Sequence, residues 1–284
     1  MKTIQWFPGH MTKAMRMMQQ NLSLVDGIIF VLDARCPAAS FNPKLKKMAN
    51  NKPVLYVLNK GDLADGHADA LLNIIRKKGA EAVKINAVNS SSRRDIAGAV
   101  EKLVAEKRAK ALEKGYNRTF RFMVAGVPNT GKSTLINLLA GSRRAEVGDK
   151  AGVTRGKQWI RCESFELLDT PGTMPPAFEN QYLAAHLAFV GSINDDILDL
   201  DDICLLLLKE LLEKYPERLK ERYEIVGGTP LEMLDAVCEK RGFKLRGNEY
   251  DYERAIRAVI DDFRKGKLGK ITLDTAVDLE GLEF

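Results

Sequence analysis

A chain of 284 residues with 45% hydrophobic residues and a formal net charge of +6 has room for one large domain or two ordinary ones around a sizeable core. It has no apolar run near the ~18 residues of a membrane span, no apolar export segment in its start MKTIQWFPGHM, and no C-x-x-C pair among Cys36, Cys162, Cys204 and Cys238. These features argue against a membrane span, an exported chain, a zinc site and a disulfide framework, and they lead to the expectation of a cytoplasmic protein with free thiols.

In chain order, three apolar runs read as buried strands: GIIFVLDA (Gly27–Ala34), PVLYVLN (Pro53–Asn59) and AVKINA (Ala82–Ala87). Each is short and rich in branched residues, the pattern of parallel strands covered on both faces. HADALLNIIRKKGA is of helix length, and the basic segment Ile96–Lys114 has helical apolar spacing and leads into the next strand. A second set follows, TFRFMVAG (Thr119–Gly126), KQWIRC (Lys157–Cys162) and SFELLDTPG (Ser164–Gly172). Alternating strand and helix signals predict an open α/β sheet, mostly parallel, with helices on both faces. After Pro175 and Pro176 helical patterns dominate, as in DDICLLLLKELLEKY, PLEMLDAVCEKRG and DYERAIRAVIDDFRKG. The expected organisation is an α/β domain over residues 1–175 and a smaller all-helical domain over 176–284.

Charge follows this division. Residues through Gly172 carry 29 Lys+Arg against 15 Asp+Glu, a net of +14, and the remainder carries 15 against 23, a net of −8. A positive field of that size attracts polyanions, so nucleic acid or a nucleoprotein surface is the expected partner class.

GVPNTGKS, Gly126–Ser133, matches G-x-x-x-x-G-K-[ST] between an apolar strand and the helical TLINLLAG. Glycines in such a loop turn backbone N–H groups toward phosphates, and the helix N-terminus adds a favourable dipole. Asn129, Thr130, Gly131, Lys132, Ser133 and Thr134 are the candidate phosphate-binding positions. Lys132 would bridge the terminal phosphates, and Ser133 would offer a hydroxyl to Mg²⁺. LLDTPG places Asp169 at a strand end, where it could hold the metal through water, and Gly172 where its N–H could meet the terminal phosphate. Between these motifs lies DKAGVTRG, with Thr154 as the candidate switch-loop ligand of Mg²⁺.

Base identity is carried by LNKGDL, an N-K-x-D tetrad formed by Asn59, Lys60 and Asp62. A carboxylate at Asp62 can accept two hydrogen bonds from the ring N–H and amine of guanine, a donor pair that adenine lacks, so GTP is expected over ATP. Asn59 would meet the base edge and steady the loops, the Lys60 stem would lie over the ring, and INAVNS would contribute backbone N–H groups around Asn86 and Ala87. The tetrad precedes the phosphate loop, the reverse of the usual order. Ligands of an open α/β sheet bind at the carboxyl ends of its strands, so original termini can be joined and new ones opened without moving a motif.

This order resembles the circularly permuted GTPases, and specifically the ribosome biogenesis GTPase A family, also called the YlqF family. The resemblance covers nearly the whole chain and rests on WFPGHM, VLDARCPAASFNP, LNKGDL, GVPNTGKSTLIN, VGDKAGVTRGKQW and LLDTPGTMPP. It implies a circularly permuted P-loop GTPase domain followed by a helical domain that helps contact rRNA. It also implies hydrolysis of GTP to GDP, coupled to late maturation of the large ribosomal subunit, with no membrane or DNA partner. The family has a hydrophobic residue after D-x-x-G in place of the usual water-positioning Gln; here that position is Thr173. The resemblance assigns the water-orienting role to His10, implies slow intrinsic and ribosome-stimulated turnover, and implies through Asn129 the use of K⁺ beside Mg²⁺. A GTP-occupied RNA-binding scaffold with negligible hydrolysis is the alternative.

Overall fold

The structure, a computed structural model, describes Ile4 and residues 9–141, 159–175 and 178–284, the side chain of His10 excepted. Thr154 and the His10 side chain therefore lie outside the described residues. The chain forms two compact units: one runs to residue 177 and takes in Asp274–Phe284, and the other is Phe178–Leu273 together with Ile4.

In the first unit, helix α1 (Gly9–Asn21) precedes strand β1 (Gly27–Asp33), and helix α2 (Pro43–Ala49) follows it. Asn42 caps α2 by accepting hydrogen bonds from the N–H groups of Lys44 and Leu45, and Pro43 takes the first helical position, where its missing N–H costs nothing. Then come β2 (Val54–Asn59), α3 (His67–Lys77), β3 (Glu81–Lys84), the long α4 (Ser92–Glu113), β4 (Phe120–Ala125), α5 (Lys132–Ala140), β5 (Trp159–Arg161) and β6 (Phe165–Asp169).

The six strands lie in the order β3-β2-β1-β4-β6-β5. All pairs are parallel except β5 with β6, a three-residue antiparallel edge, so the sheet is mostly parallel as expected. Every residue of β1 is buried, as a central strand covered on both faces requires. Alternation sorts the strands onto two faces. Ile29, Val31, Leu55, Val57, Phe122 and Val124 meet Ile96 and Val100 of α4 and Leu135 and Leu139 of α5. Each such side chain contributes roughly 1.5–3 kcal/mol by leaving water.

On the other face, the Tyr56 ring meets Phe30 at 5.7 Å and Phe41 at 6.2 Å, centroid to centroid. Phe284 closes this cluster, 4.7 Å from Phe41 and 5.3 Å from Tyr56. Asp274–Phe284 thus packs with the α/β unit, and the helical region anticipated over 176–284 does not keep its last eleven residues. The physical reason is local. The Asp274 carboxylate accepts hydrogen bonds from the N–H groups of Ala38 (2.6 Å) and Ala39 (3.0 Å), and Lys78 Nζ donates to the carbonyls of Leu279 and Leu282.

The second unit holds α6 (Gln181–Phe189), α7 (Leu200–Lys214), α8 (Pro216–Tyr223), α9 (Pro230–Arg241) and α10 (Tyr252–Arg264). Helices α7 and α10 pack against each other and against α6 and α9. Thr229 and Glu232 form a capping box at α9, with Pro230 at its first position. Its buried charges are paired: the Asp262 carboxylate accepts hydrogen bonds from Arg222 and the Tyr223 hydroxyl, and Glu210 is bonded to His186 and Lys214. All four cysteines are buried free thiols.

Candidate nucleotide site

The described phosphate and base motifs emerge at the carboxyl ends of parallel strands of the first unit. The phosphate loop leaves β4, the D-x-x-G loop leaves β6, the N-K-x-D tetrad ends β2 and the Asn86–Ala87 loop follows β3. Because β4 pairs with β1 on one side and β6 on the other, the phosphate motifs sit beside the base motifs although the chain visits them in reverse.

The phosphate loop is shaped by its glycine. Gly131 has φ +89 at the start of α5, and a Cβ there would collide with Asn59 Nδ2. Thr130 is buried, and its hydroxyl donates to the Val127 carbonyl at 3.1 Å. Lys132 is buried and donates from Nζ to the same carbonyl at 2.8 Å. Burial lowers its pKa to about 8, with Lys60 adding to the effect and Asp169 opposing it. Ser133 and Thr134 are exposed at the helix N-terminus, and Asn129 is exposed with φ +60. The open hydroxyl of Ser133 and the nearby helix N–H groups suit an anion and a hard cation together.

Asp169 ends β6, paired in register with Val124 of the phosphate strand. Crowding by protein raises its carboxyl pKa, and Lys132 pulls the other way. An exposed carboxylate at a strand end is an oxygen donor appropriate to Mg²⁺. Gly172 lies against the phosphate loop: a Cβ would come within 2.8 Å of Pro128 backbone atoms. Thr173 and Met174 are buried beyond it. The Thr173 N–H donates to the Gly126 carbonyl (3.1 Å), and the Thr173 carbonyl accepts from Asn42 Nδ2 (3.3 Å). The Met174 N–H donates to Met11 Sδ at 3.4 Å, which joins α1 to the D-x-x-G loop.

The base motifs carry contacts inside the protein at three places. Asn59 is buried, and both ends of its amide are used inside the protein: Nδ2 donates to the Thr130 carbonyl (2.8 Å) and Oδ1 accepts from the Ala87 N–H (2.9 Å). It ties the phosphate loop to the base loop. The second is the Ala87 N–H, bonded to Asn59 Oδ1. The Asn86 N–H donates to Ser92 Oγ and the Val88 N–H to Asn86 Oδ1, so this short loop satisfies its own amides. Asp62, by contrast, is exposed, with no hydrogen bond to its carboxylate among the described residues.

Third, Lys60 has φ +60 and its ammonium sits 2.9 Å from Asp33 Oδ2. Asp33 closes β1 fully buried and also takes a bidentate pair from Arg35, Nε to Oδ1 at 2.9 Å and Nη2 to Oδ2 at 2.8 Å. Burial alone would raise its pKa, but Arg35 and Lys60 together hold it well below the carboxylate range. The pair fixes where the Lys60 side chain runs. Asp33 and Arg35 lie in VLDARCPAASFNP, where no site role was expected of them. Their signal was a charged D-A-R triplet closing an otherwise apolar strand.

Residues 121–230 match a family model described as "50S ribosome-binding GTPase". Ribosome biogenesis GTPase A of Bacillus cereus is 43% identical over 96% of this chain and 94% of its own length. The chain belongs to the ribosome biogenesis GTPase A family. The Bacillus licheniformis member of that family is 39% identical over 97% of this chain and 99% of its own. Among solved structures, GDP-bound YlqF superposes with a TM-score of 0.67 at 25% identity, covering 92% of this chain and all of that one. GNP-bound YlqF from T. maritima gives 0.66 at 26%, covering 93% and 98%. The permuted order of motifs is thus a property of a GTPase family, and membership makes this chain a GTPase.

Proposed function

We propose that this GTPase drives a late step in maturation of the large ribosomal subunit, binding rRNA or a precursor particle in one nucleotide state and releasing it in the other. The convergence of phosphate, metal and base motifs at one end of a single sheet carries the reading. It is supported by kinship with proteins named for ribosome biogenesis and by the net charge of +14 through Gly172. In it, Lys132 and the phosphate-loop amides bind the phosphates, and Ser133, Asp169 and Thr154 hold Mg²⁺, with K⁺ admitted beside Asn129. Asp62 selects guanine, and Asn59 holds the two loops in register. Mg²⁺ would neutralise charge on the phosphates, while the chain's part is positioning. His10 is the group proposed to orient the attacking water, and the Met11–Met174 contact supports that role because it brings α1 to the D-x-x-G loop. The first unit and the helical residues 178–273 are proposed as engine and RNA-contacting module, in the cytoplasm.

Co-sedimentation with large ribosomal subunits in GTP-analogue and GDP states, with turnover followed in the same samples, tests this. Nucleotide-dependent binding and stimulated hydrolysis are expected; no binding in either state and no stimulation would reject it. The absence of a Gln at Thr173 favours a second reading, a GTP-occupied RNA-binding scaffold. It predicts binding without stimulation and no catalytic effect of His10→Ala.

A further inference from the structure

Thr173 is held on both sides. Its N–H is bound to the Gly126 carbonyl, its own carbonyl accepts from Asn42, and its neighbours Gly172 and Met174 pack on Pro128 and Met11. Between these anchors its side chain is fully buried, and its hydroxyl has no hydrogen-bond partner among the described residues. A buried, unsatisfied hydroxyl is a standing penalty that a valine of the same shape would avoid. The residue lies immediately after Gly172, in the loop that must respond to the terminal phosphate.

We infer that Thr173 is a specificity-determining residue that favours GTP over GDP, its hydroxyl gaining a hydrogen bond when the D-x-x-G loop closes on the terminal phosphate. On this inference the hydroxyl, without a partner among the described residues, is satisfied in the triphosphate arrangement. Two effects then point the same way. The penalty weighs against an arrangement that leaves the hydroxyl unpaired, and the new bond favours the triphosphate one, so a single oxygen biases the loop toward GTP. The inference concerns the enzyme alone and does not depend on a ribosomal partner.

Thr173→Val removes the hydroxyl and keeps the shape, and Thr173→Ser keeps the hydroxyl. Affinities for GDP and for a non-hydrolysable GTP analogue are measured on the full chain, together with thermal melts without nucleotide. In the Val variant the analogue-to-GDP ratio of Kd should rise about ten-fold, the size of one net hydrogen bond plus part of one relieved penalty. Its melting temperature without nucleotide should not fall, and Thr173→Ser should keep the parental ratio. Thr173→Ala, which also lacks the hydroxyl, should shift the ratio in the same direction, so the reading does not hang on one variant folding. A merely structural role would move both affinities equally. An unchanged ratio in both the Val and Ala variants, or a lower melting temperature for Val, would overturn the inference.

Discussion

Asn59 is the residue whose loss should report most directly on how this site is built. Replacing it with Ala deletes the two hydrogen bonds that join the Thr130 carbonyl to the Ala87 N–H through one buried amide. Both backbone groups are then left without that partner. An unsatisfied buried polar group costs about 1–3 kcal/mol, so the pair should cost about 3 kcal/mol. For a protein of this size that is roughly 6 to 12 °C in melting temperature. Nucleotide affinity should fall with it, by more than ten-fold, because the loops for phosphate and base lose their common strut. A thermal melt and a titration with a fluorescent GDP measure both quantities. Asn59→Asp serves as the directional control. It still accepts from the Ala87 N–H but turns a carboxylate oxygen toward the Thr130 carbonyl, so it should do no better than Ala. An Ala variant that melts within about 1 °C of the parent and binds GDP equally well would refute the bridging role.

Lys132 makes a pH prediction. Its pKa is lowered to about 8 by burial, whereas bound phosphate selects the charged form. Between pH 7 and 9 its protonated fraction falls from about 90% to about 10%, so GDP affinity should weaken roughly nine-fold. Lys132→Arg should remove that part of the pH dependence, and an equal slope in both proteins would refute it. The stability term runs the other way: the penalty on the buried charge is full below about pH 8 and is relieved toward the unfolded value of 10.5, so this group favours folding more as pH rises through that window. Asp274→Ala should expose the Ala38 and Ala39 amides to faster hydrogen exchange and cost about 2 kcal/mol, with Asp274→Asn largely restoring both. Unchanged protection at those two amides would show that the contact contributes nothing.

The sequence disclosed the parts of the site whose chemistry is local. A phosphate loop needs a strand, glycines and a helix in one short stretch, and GVPNTGKS between Phe120–Ala125 and Lys132–Ala140 has all of them. The apolar runs of β1 and β2 were legible because strands buried on both faces leave little polar alternation to confuse. What could not be read depends on neighbours distant in sequence. The pairing of Asp33 with Lys60 exists because β1 and β2 are adjacent, and the bridging by Asn59 exists because β2 delivers it to the phosphate loop. Strand β5 is three residues of edge, too short for its direction to leave a mark. The final segment, DTAVDLEGLEF, is acidic and without period, and its attachment rests on Asp274, Leu279 and Phe284 meeting residues more than two hundred positions earlier.

That attachment changes how the molecule can be dissected. The helical residues 178–273 are an insertion between two stretches of one folded body, not an appendage at its end. A shortened chain stopping near residue 177 would strip the engine of its cap on Ala38 and Ala39 and of a ring from its aromatic cluster. A faithful isolated engine would splice 274–284 back through a short linker. Without that splice, a loss of activity in the truncated protein would be misread as a requirement for the helices.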